Sequence, residues 1–155
     1  MDLKLKYEQD FQQWIEHHIT LFKEKRLTEL DIEHLIEELE DMGKSNKYEL
    51  NSRFTVLLAH LLKWQYQYKQ LQDQWGTFTG GSWRGTITEQ RLQINKLLRK
   101  TPSLKRYLAD TLIEAYPDGL KIAVAETGLP KTTFPEICPY TLEQVLDENF
   151  YPDSF

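Results

Sequence analysis

Apolar side chains recur at every third or fourth position along most of this chain, and that spacing predicts amphipathic α-helices. The first apolar stripe lies within residues 10–25. A second helix is expected to begin near Glu29 and to end at Gly43, where Ser45 would provide the N-cap of the next helix. The pattern therefore predicts two separate helices between residues 29 and 71.

The third predicted helix, residues 46–71, is the most apolar segment of the sequence. From Phe54 to Tyr66, hydrophobic side chains point almost all round the predicted helix, which is typical of a buried one. We therefore expect this helix to be the central element of a bundle.

Two further long helices are predicted in the second half of the chain. A glycine-rich loop at residues 73–86 precedes a fourth helix that ends near Arg99. Pro102 suits the first turn of a fifth helix, and Gly128 suits its C-cap. Pro117 lies inside this fifth helix and is expected to kink or split it.

The C-terminal tail, residues 127–155, is irregular and rich in proline. It ends in one short helix, for which Thr141 and Gln144 form a capping box. Together these elements predict an all-α fold with a single domain over residues 1–155. This domain is a bundle of five to six helices around a central apolar helix, followed by the Pro-rich tail.

The composition is that of a globular protein, with 40% hydrophobic, 28% charged and 12% aromatic residues. The longest unbroken apolar runs are four residues, so no transmembrane span is expected. The N-terminus has no apolar signal core. The single cysteine, Cys138, cannot form an internal disulfide and is more typical of a buried thiol than of a nucleophile. These features predict a cytoplasmic protein without membrane contact.

The net charge of −5 conceals a segregation along the sequence. Residues 1–50 hold 7 Lys and Arg against 13 Asp and Glu, residues 51–110 hold 10 against 3, and residues 111–155 hold 2 against 8. An acidic protein is a poor nonspecific ligand for nucleic acid, because that binding depends on neutralising phosphates. We expect the acidic and basic helices to complement each other instead.

The segment LDIEHLIEELEDMGKS, residues 30–45, carries six carboxylates and one imidazole beside a single apolar stripe. At about 100° per residue, His34, Glu38 and Asp41 lie on the flank of that stripe, and the other glutamates fall on the far side. If the second and third helices pack antiparallel, this flank approaches His60.

Two interpretations of this cluster remain open. In the functional one, the cluster binds a divalent metal through His34, Glu38, Asp41 and His60. Alternatively, Glu38, Asp41 and His60 act as catalytic acid and base. In the structural one, Glu38 or Asp41 pairs with Arg53, and His60 is a hydrogen-bonded histidine of a mostly apolar helix.

A second candidate group combines cations with an aromatic platform: Lys63, Arg84, Arg91 and Trp83. Its cations would bind phosphate or a partner, and Trp83 would stack on a base or a ring. Arg84 and Arg91 are seven residues apart and share a helix face. The alternative is that the arginines pair with the acidic helix and the tryptophans are buried.

Five sequence blocks, in order, resemble a bacterial family known as domain of unknown function twenty-nine. They are YEQDFQQWIE, LDIEHLIEELEDMGKS, LLAHLLKWQYQ, SWRGTITEQR and AETGLPKTTFPEICPYTLEQVLDENFYP. The resemblance covers nearly the whole chain and implies an all-helical domain, but it brings no established activity. The polar positions that the family pattern specifies are Glu37, Glu38, Asp41, Ser45, His60, Lys63, Trp64, Trp83, Arg84, Glu89, Gln90 and Arg91.

Two functions are compatible with the sequence. The first is a cytoplasmic binding module that self-associates as a homo-oligomer or binds another protein. The second is a hydrolase acting on a nucleotide or nucleic acid, metal-assisted or by acid/base catalysis through the His, Glu and Asp cluster. Convergence of His60, Glu38 and Arg91 around an open cleft would favour the hydrolase.

Overall fold

The computed structural model describes residues 2–153, and every regular element within this range is helical. Short 3-10 turns lie at Leu27–Glu29, Pro102–Tyr107 and Lys131–Thr133. The all-α prediction is confirmed. The α-helices are α1 (Leu3–Gln9), α2 (Phe11–Lys23), α3 (Ile32–Gln74), α4 (Gly81–Lys100), α5 (Leu108–Thr127) and α6 (Leu142–Leu146).

The chain divides into two compact units, of which one ends at Ser45 and the other begins at Asn46. The N-terminal unit contains α1, α2 and the first turns of α3. The C-terminal unit contains the rest of α3 and the helices that follow it. A single domain over residues 1–155 stays a prediction.

One continuous helix, α3, replaces the two helices predicted between residues 29 and 71. It is 43 residues long, so the expected stop at Gly43 and the expected N-cap at Ser45 are both wrong. A glycine that ends a helix adopts a left-handed conformation. Among the glycines of the described residues, only Gly80 and Gly128 have this conformation, so Gly43 does not. Within a helix, glycine costs only about 1 kcal/mol relative to alanine, which its strong helix-forming neighbours outweigh.

The continuity of α3 also corrects the expected antiparallel packing of two neighbouring helices, because both segments belong to the same helix. Despite its length, α3 is not apolar enough to cross a bilayer, and no other helix of residues 2–153 has the necessary length and apolar character.

Aspartates begin both helices that precede α3. The carboxylate of Asp2 accepts hydrogen bonds from the backbone N–H groups of Lys4 and Leu5, at 3.1 and 3.3 Å. The carboxylate of Asp10 accepts one from the N–H of Gln13 at 3.1 Å, so α2 starts where the first apolar stripe predicts it. The pattern did not predict α1, because its residues alternate with the period of a strand.

The second half of α3 is the centre of the C-terminal unit, as its all-round hydrophobicity predicts. It buries a continuous series of side chains against α4 and α5, which contribute Ile87, Ile94, Ala115 and Ala123. The fully buried side chains of α3 are Leu50, Phe54, Leu57, Leu58, Ala59, Leu61 and Leu62.

α5 comes very close to α3 at Gly119. A Cβ atom placed on Gly119 would lie 3.0 Å from the carbonyl oxygen of Thr55 and 3.1 Å from the Cβ of Leu58. Only glycine allows this approach. Pro117, two residues earlier, does not split α5, which continues from Leu108 to Thr127 because buried side chains on both sides of the proline hold it in the core.

The tail behaves as its capping signals predict. Gly128 ends α5 with a φ of 71°, and Thr141 and Gln144 form a reciprocal capping box at the start of α6. The N–H of Gln144 donates to the hydroxyl of Thr141 at 3.1 Å, and the N–H of Thr141 donates to the side-chain amide oxygen of Gln144 at 3.0 Å.

The substitution Gly119→Ala should lower the free energy of unfolding by about 1–3 kcal/mol, because the added methyl group forces α5 away from α3. Gly85→Ala is the matched control: its Cβ meets nothing within 4 Å, and removing a glycine from α4 should raise stability by about 0.5–1 kcal/mol. Urea unfolding followed by circular dichroism measures both. Equal effects of the same sign would contradict the close approach.

Candidate interaction surface

A buried carboxylate, that of Asp31, links the helices of the N-terminal unit. Asp31 precedes α3 and is 4% exposed. Its Oδ2 atom accepts a hydrogen bond from the indole Nε1–H of Trp14 at 3.1 Å and lies 2.6 Å from Nδ1 of His34. Its backbone N–H donates to Nε2 of His18 at 2.9 Å.

Both ring nitrogens of His18 have partners. Because Nε2 accepts from the N–H of Asp31, Nδ1 carries the proton and donates to the carbonyl oxygen of Trp14 at 2.9 Å. The imidazole is thereby held as one neutral tautomer. His18 is buried and both of its ring nitrogens are hydrogen-bonded within the unit, so its role is structural.

The pKa of the Asp31 carboxyl reflects two opposing effects. Burial raises this pKa, but the hydrogen bonds from His34 and Trp14 together outweigh burial and hold the pKa below its ordinary value. The carboxylate therefore remains charged inside the unit, with donors on both α2 and α3.

The polar flank of α3 faces α1. The ring of Tyr7 stacks on the imidazole of His34, with centroids 3.8 Å apart and planes inclined by 16°. The hydroxyl of Tyr7 donates to Oε1 of Glu38 at 2.5 Å, and this hydrogen bond raises the pKa of Tyr7. The sequence analysis expected this flank to approach His60 on a separate helix, and its contacts are with Tyr7 of α1.

Because the polar flank is turned inward, the apolar stripe of α3 is left exposed. Four of its side chains, at i, i+4, i+7 and i+10 spacing, are between 51% and 65% exposed, whereas Leu35 of the same stripe is half-buried. We call these four side chains the apolar face: Ile32, Ile36, Leu39 and Met42. Further large hydrophobic side chains of the same unit are also exposed, namely Leu5, Phe11, Ile19, Phe22 and Leu27.

An acidic rim, formed by Glu40, Glu33 and Glu37, begins beside Ile36 at the edge of the apolar face and continues to the far side of the helix. Glu33, Glu37, Glu40 and Asp41 are all exposed. At about 100° per residue, Glu40, Glu33 and Glu37 follow Ile36 around the helix in that order. Glu33 also pairs with Lys4 at 2.9 Å. The surface is therefore apolar along one line and negatively charged along the next.

The predicted metal ligands do not form a common cluster. His34 is bound to Asp31 and Glu38 to Tyr7, whereas Asp41 is exposed and His60 belongs to the C-terminal unit. Across residues 2–153, no group of three or more His, Cys, Asp or Glu side chains is arranged to hold a metal ion. Arg53, the expected partner of Glu38 or Asp41, lies 3.6 Å from Glu49.

His60 is half-buried and lies 2.9 Å, through Nδ1, from the carbonyl oxygen of Val56 one turn earlier. Burial lowers the pKa of its imidazole and Lys63 acts in the same direction, whereas the Val56 carbonyl and Glu126 act against them. The hydrogen-bonded arrangement agrees with the structural interpretation of His60.

Lys63 joins α3 to α5 inside the C-terminal unit. It is 8% exposed, and its Nζ atom donates to Oε2 of Glu126 at 2.8 Å. The same ammonium group lies 4.8 Å from the centre of the Trp83 ring, which is half-buried. Lys63 is therefore already neutralised, and no spacing pattern indicates that Glu126, 63 residues away, is its partner.

Arg84 is exposed and lies over two aromatic rings. Its guanidinium carbon is 5.2 Å from the centre of the Trp64 ring and 5.0 Å from that of Tyr151. These cation–π contacts place the C-terminal tail over α3 and α4.

Arg91 is 2% exposed and holds the C-terminal tail. Its Nε donates to the carbonyl oxygen of Val145 at 2.8 Å. Its Nη2 donates to the carbonyl oxygens of Gln144 and Phe150, at 3.3 and 2.9 Å. Burial lowers the pKa of the guanidinium, although Tyr151 and nearby carboxylates oppose this effect. Nη1 makes no hydrogen bond within the described residues.

Comparison with known proteins gives one match. Residues 6–151 match the family described as "Domain of unknown function DUF29". No curated protein and no solved structure matches the chain.

The stability of the N-terminal unit should fall in acid because of Asp31. A carboxyl whose pKa is lowered by folding stabilises the fold at pH values above its pKa in the unfolded chain, which is about 3.9. This stabilisation is lost as the pH falls through the pKa of the folded protein. The free energy of unfolding, measured with urea between about pH 6 and about pH 3, should therefore fall more steeply with decreasing pH for the wild type than for Asp31→Asn. Trp14→Phe, which removes one donor, should be intermediate. Identical slopes for all three proteins would contradict the proposed role.

Loss of Arg91 should release the tail. In Arg91→Met, three carbonyl oxygens lose a charged donor, and we expect the free energy of unfolding to fall by about 2–4 kcal/mol. Arg84→Met is the matched control on the same helix, and its exposed cation–π contacts should contribute less than about 1 kcal/mol. Thermal unfolding and limited proteolysis of the tail measure the difference. Similar losses in the two variants would argue against a holding role for Arg91.

Proposed function

The chain belongs to the family described as "Domain of unknown function DUF29", and because that description names no activity, we propose from the geometry that the protein is an interaction module that self-associates. The apolar face of α3 carries this proposal. Cytoplasmic location is part of it, since a chain with the single cysteine Cys138 has no need of an oxidising compartment. A bacterial origin is also part of the proposal, and the resemblance to a bacterial family supports it.

The apolar face differs from the scattered hydrophobic residues that occur on every protein surface. Its members follow one another along a single helix line, and α2 of the same small unit also carries exposed hydrophobic side chains. Soluble monomers rarely expose large contiguous apolar patches, and such patches mark interaction sites. A helix that presents apolar residues at i, i+4 and i+7 is a common recognition element.

The internal contacts of the N-terminal unit favour exposure of this face over its burial within the unit. The hydrogen bonds of Asp31 with His34 and of Tyr7 with Glu38 both lie on the opposite flank of α3. Turning the apolar face inward would break both and leave buried polar groups unpaired. The face is therefore available to a second molecule.

The double substitution Leu39→Gln with Met42→Gln tests this proposal. Both side chains are more than half exposed, so the fold should be retained, and glutamine keeps the helix propensity. Burying one such side chain contributes about 1.5–3 kcal/mol, so we expect self-association to weaken at least about tenfold. Sedimentation equilibrium over a concentration series gives the association constant.

The control is Ile137→Gln, which removes an 83% exposed isoleucine from the C-terminal tail and should leave self-association unchanged. A wild-type protein that remains monomeric at the highest concentration would refute self-association. Equal weakening by the control would show that the contact is nonspecific.

A further inference from the structure

A cluster of exposed cations lies at the end of α4 and in the 3-10 turn that packs against it. Between residues 96 and 106 the chain contains five Lys and Arg and no Asp or Glu. All five are exposed, and within residues 2–153 none of them forms an ion pair. We call this cluster the basic patch: Lys96, Arg99, Lys100, Lys105 and Arg106.

Fold stability accounts for only part of the basic patch. Arg99 and Lys100 lie in the last turn of α4, where positive charge complements the helix dipole. Lys96 precedes that turn, and Lys105 follows the end of the helix. Their charges are therefore free to act on a partner.

The patch also offers apolar surface. Leu92 is 46% exposed and lies on the same face of α4 as Lys96, one turn away, and Arg99, two turns away. The half-buried ring of Tyr107 lies next to it in sequence, with the guanidinium of Arg106 at 4.9 Å and the ammonium of Lys47 at 4.1 Å. A partner suited to this surface carries negative charges beside a line of apolar side chains.

That combination occurs on the same chain, in the N-terminal unit. Its apolar face is bordered by the acidic rim, and residues 1–45 hold 6 Lys and Arg against 12 Asp and Glu, a net charge of −6. Two such units facing each other would repel, which disfavours a contact between identical apolar faces. A contact between the acidic rim of one copy and the basic patch of another is attractive.

We infer that the basic patch is the surface that receives the apolar face and acidic rim of a second copy of the chain. This inference rests on the proposed self-association and names the surface on the other side. Each copy supplies one rim and one patch, so each copy can both present and receive the contact. The overall charge of −5 supports this partner over a polyanion such as nucleic acid.

Paired charge reversals test the inference. The rim variant carries Glu37→Lys and Glu40→Lys, and the patch variant carries Lys96→Glu and Lys105→Glu, which avoids the last turn of α4. Each variant alone should associate at least about tenfold more weakly than the wild type near about 100 mM salt. An equimolar mixture of the two should regain association close to the wild-type level, because every reversed rim then meets a reversed patch.

The control for net charge is Glu114→Lys with Asp118→Lys, both exposed on α5. It shifts the charge as far as the rim variant does and should leave association unchanged. If a reversal impairs folding, as circular dichroism would reveal, Lys96→Gln with Lys105→Gln should weaken association in the same direction and to a smaller extent.

The outcomes separate this inference from the proposed function. Two results would overturn the basic patch as the receiving surface and leave self-association itself standing. In one, self-association depends on Leu39 and Met42 and yet is unchanged by both reversals; in the other, it fails to return in the mixture. A monomeric wild type would overturn both. A labelled single-stranded RNA provides the remaining test. If the wild type and the rim variant bind it, the patch variant does not, and the mixture does not regain self-association, the patch binds a polyanion and the inference is overturned.

Discussion

The hydrogen bonds of Asp31 determine how α3 is oriented in the N-terminal unit. Its carboxylate accepts from Trp14 on α2 and contacts His34 on α3, while its N–H engages His18. Because these partners lie on two helices, the bonds fix the rotation of α3 about its own axis. The side chains that face outward follow from that rotation. A polar contact, rather than apolar packing, thus decides which surface this unit presents.

The two units use charge in opposite ways. In the N-terminal unit, the buried charge is the carboxylate of Asp31, and the outward face is acidic. In the C-terminal unit, the buried charges are the cations of Lys63 and Arg91, one paired with Glu126 and the other with carbonyl oxygens. Each unit therefore satisfies its internal charges locally. The surplus of each sign remains at the surface, where it governs association rather than stability.

Most of the C-terminal unit could be predicted from the sequence, because it depends on local signals. All-round hydrophobicity identified the second half of α3 as the core helix, and the caps at Gly128 and Thr141 marked their helices correctly. The errors arose where a local signal is weak or a contact is long-range. Gly43 has no local feature that distinguishes an interior glycine from a stop. The partner of Lys63 is 63 residues away, which no spacing rule reveals.

The contacts of Arg91 have a consequence for the order of events during synthesis. Its acceptors, from Gln144 to Phe150, lie 53 to 59 residues further along the chain. Until those residues leave the ribosome, a charged side chain destined for burial has no partner, so the C-terminal unit reaches its final packing only after Phe150 has emerged. The hydrogen bonds of Asp31 and Tyr7 join residues between Tyr7 and Glu38, so the N-terminal unit can form them much earlier. The nascent chain would then carry a finished, apolar surface well before the rest of the molecule has folded.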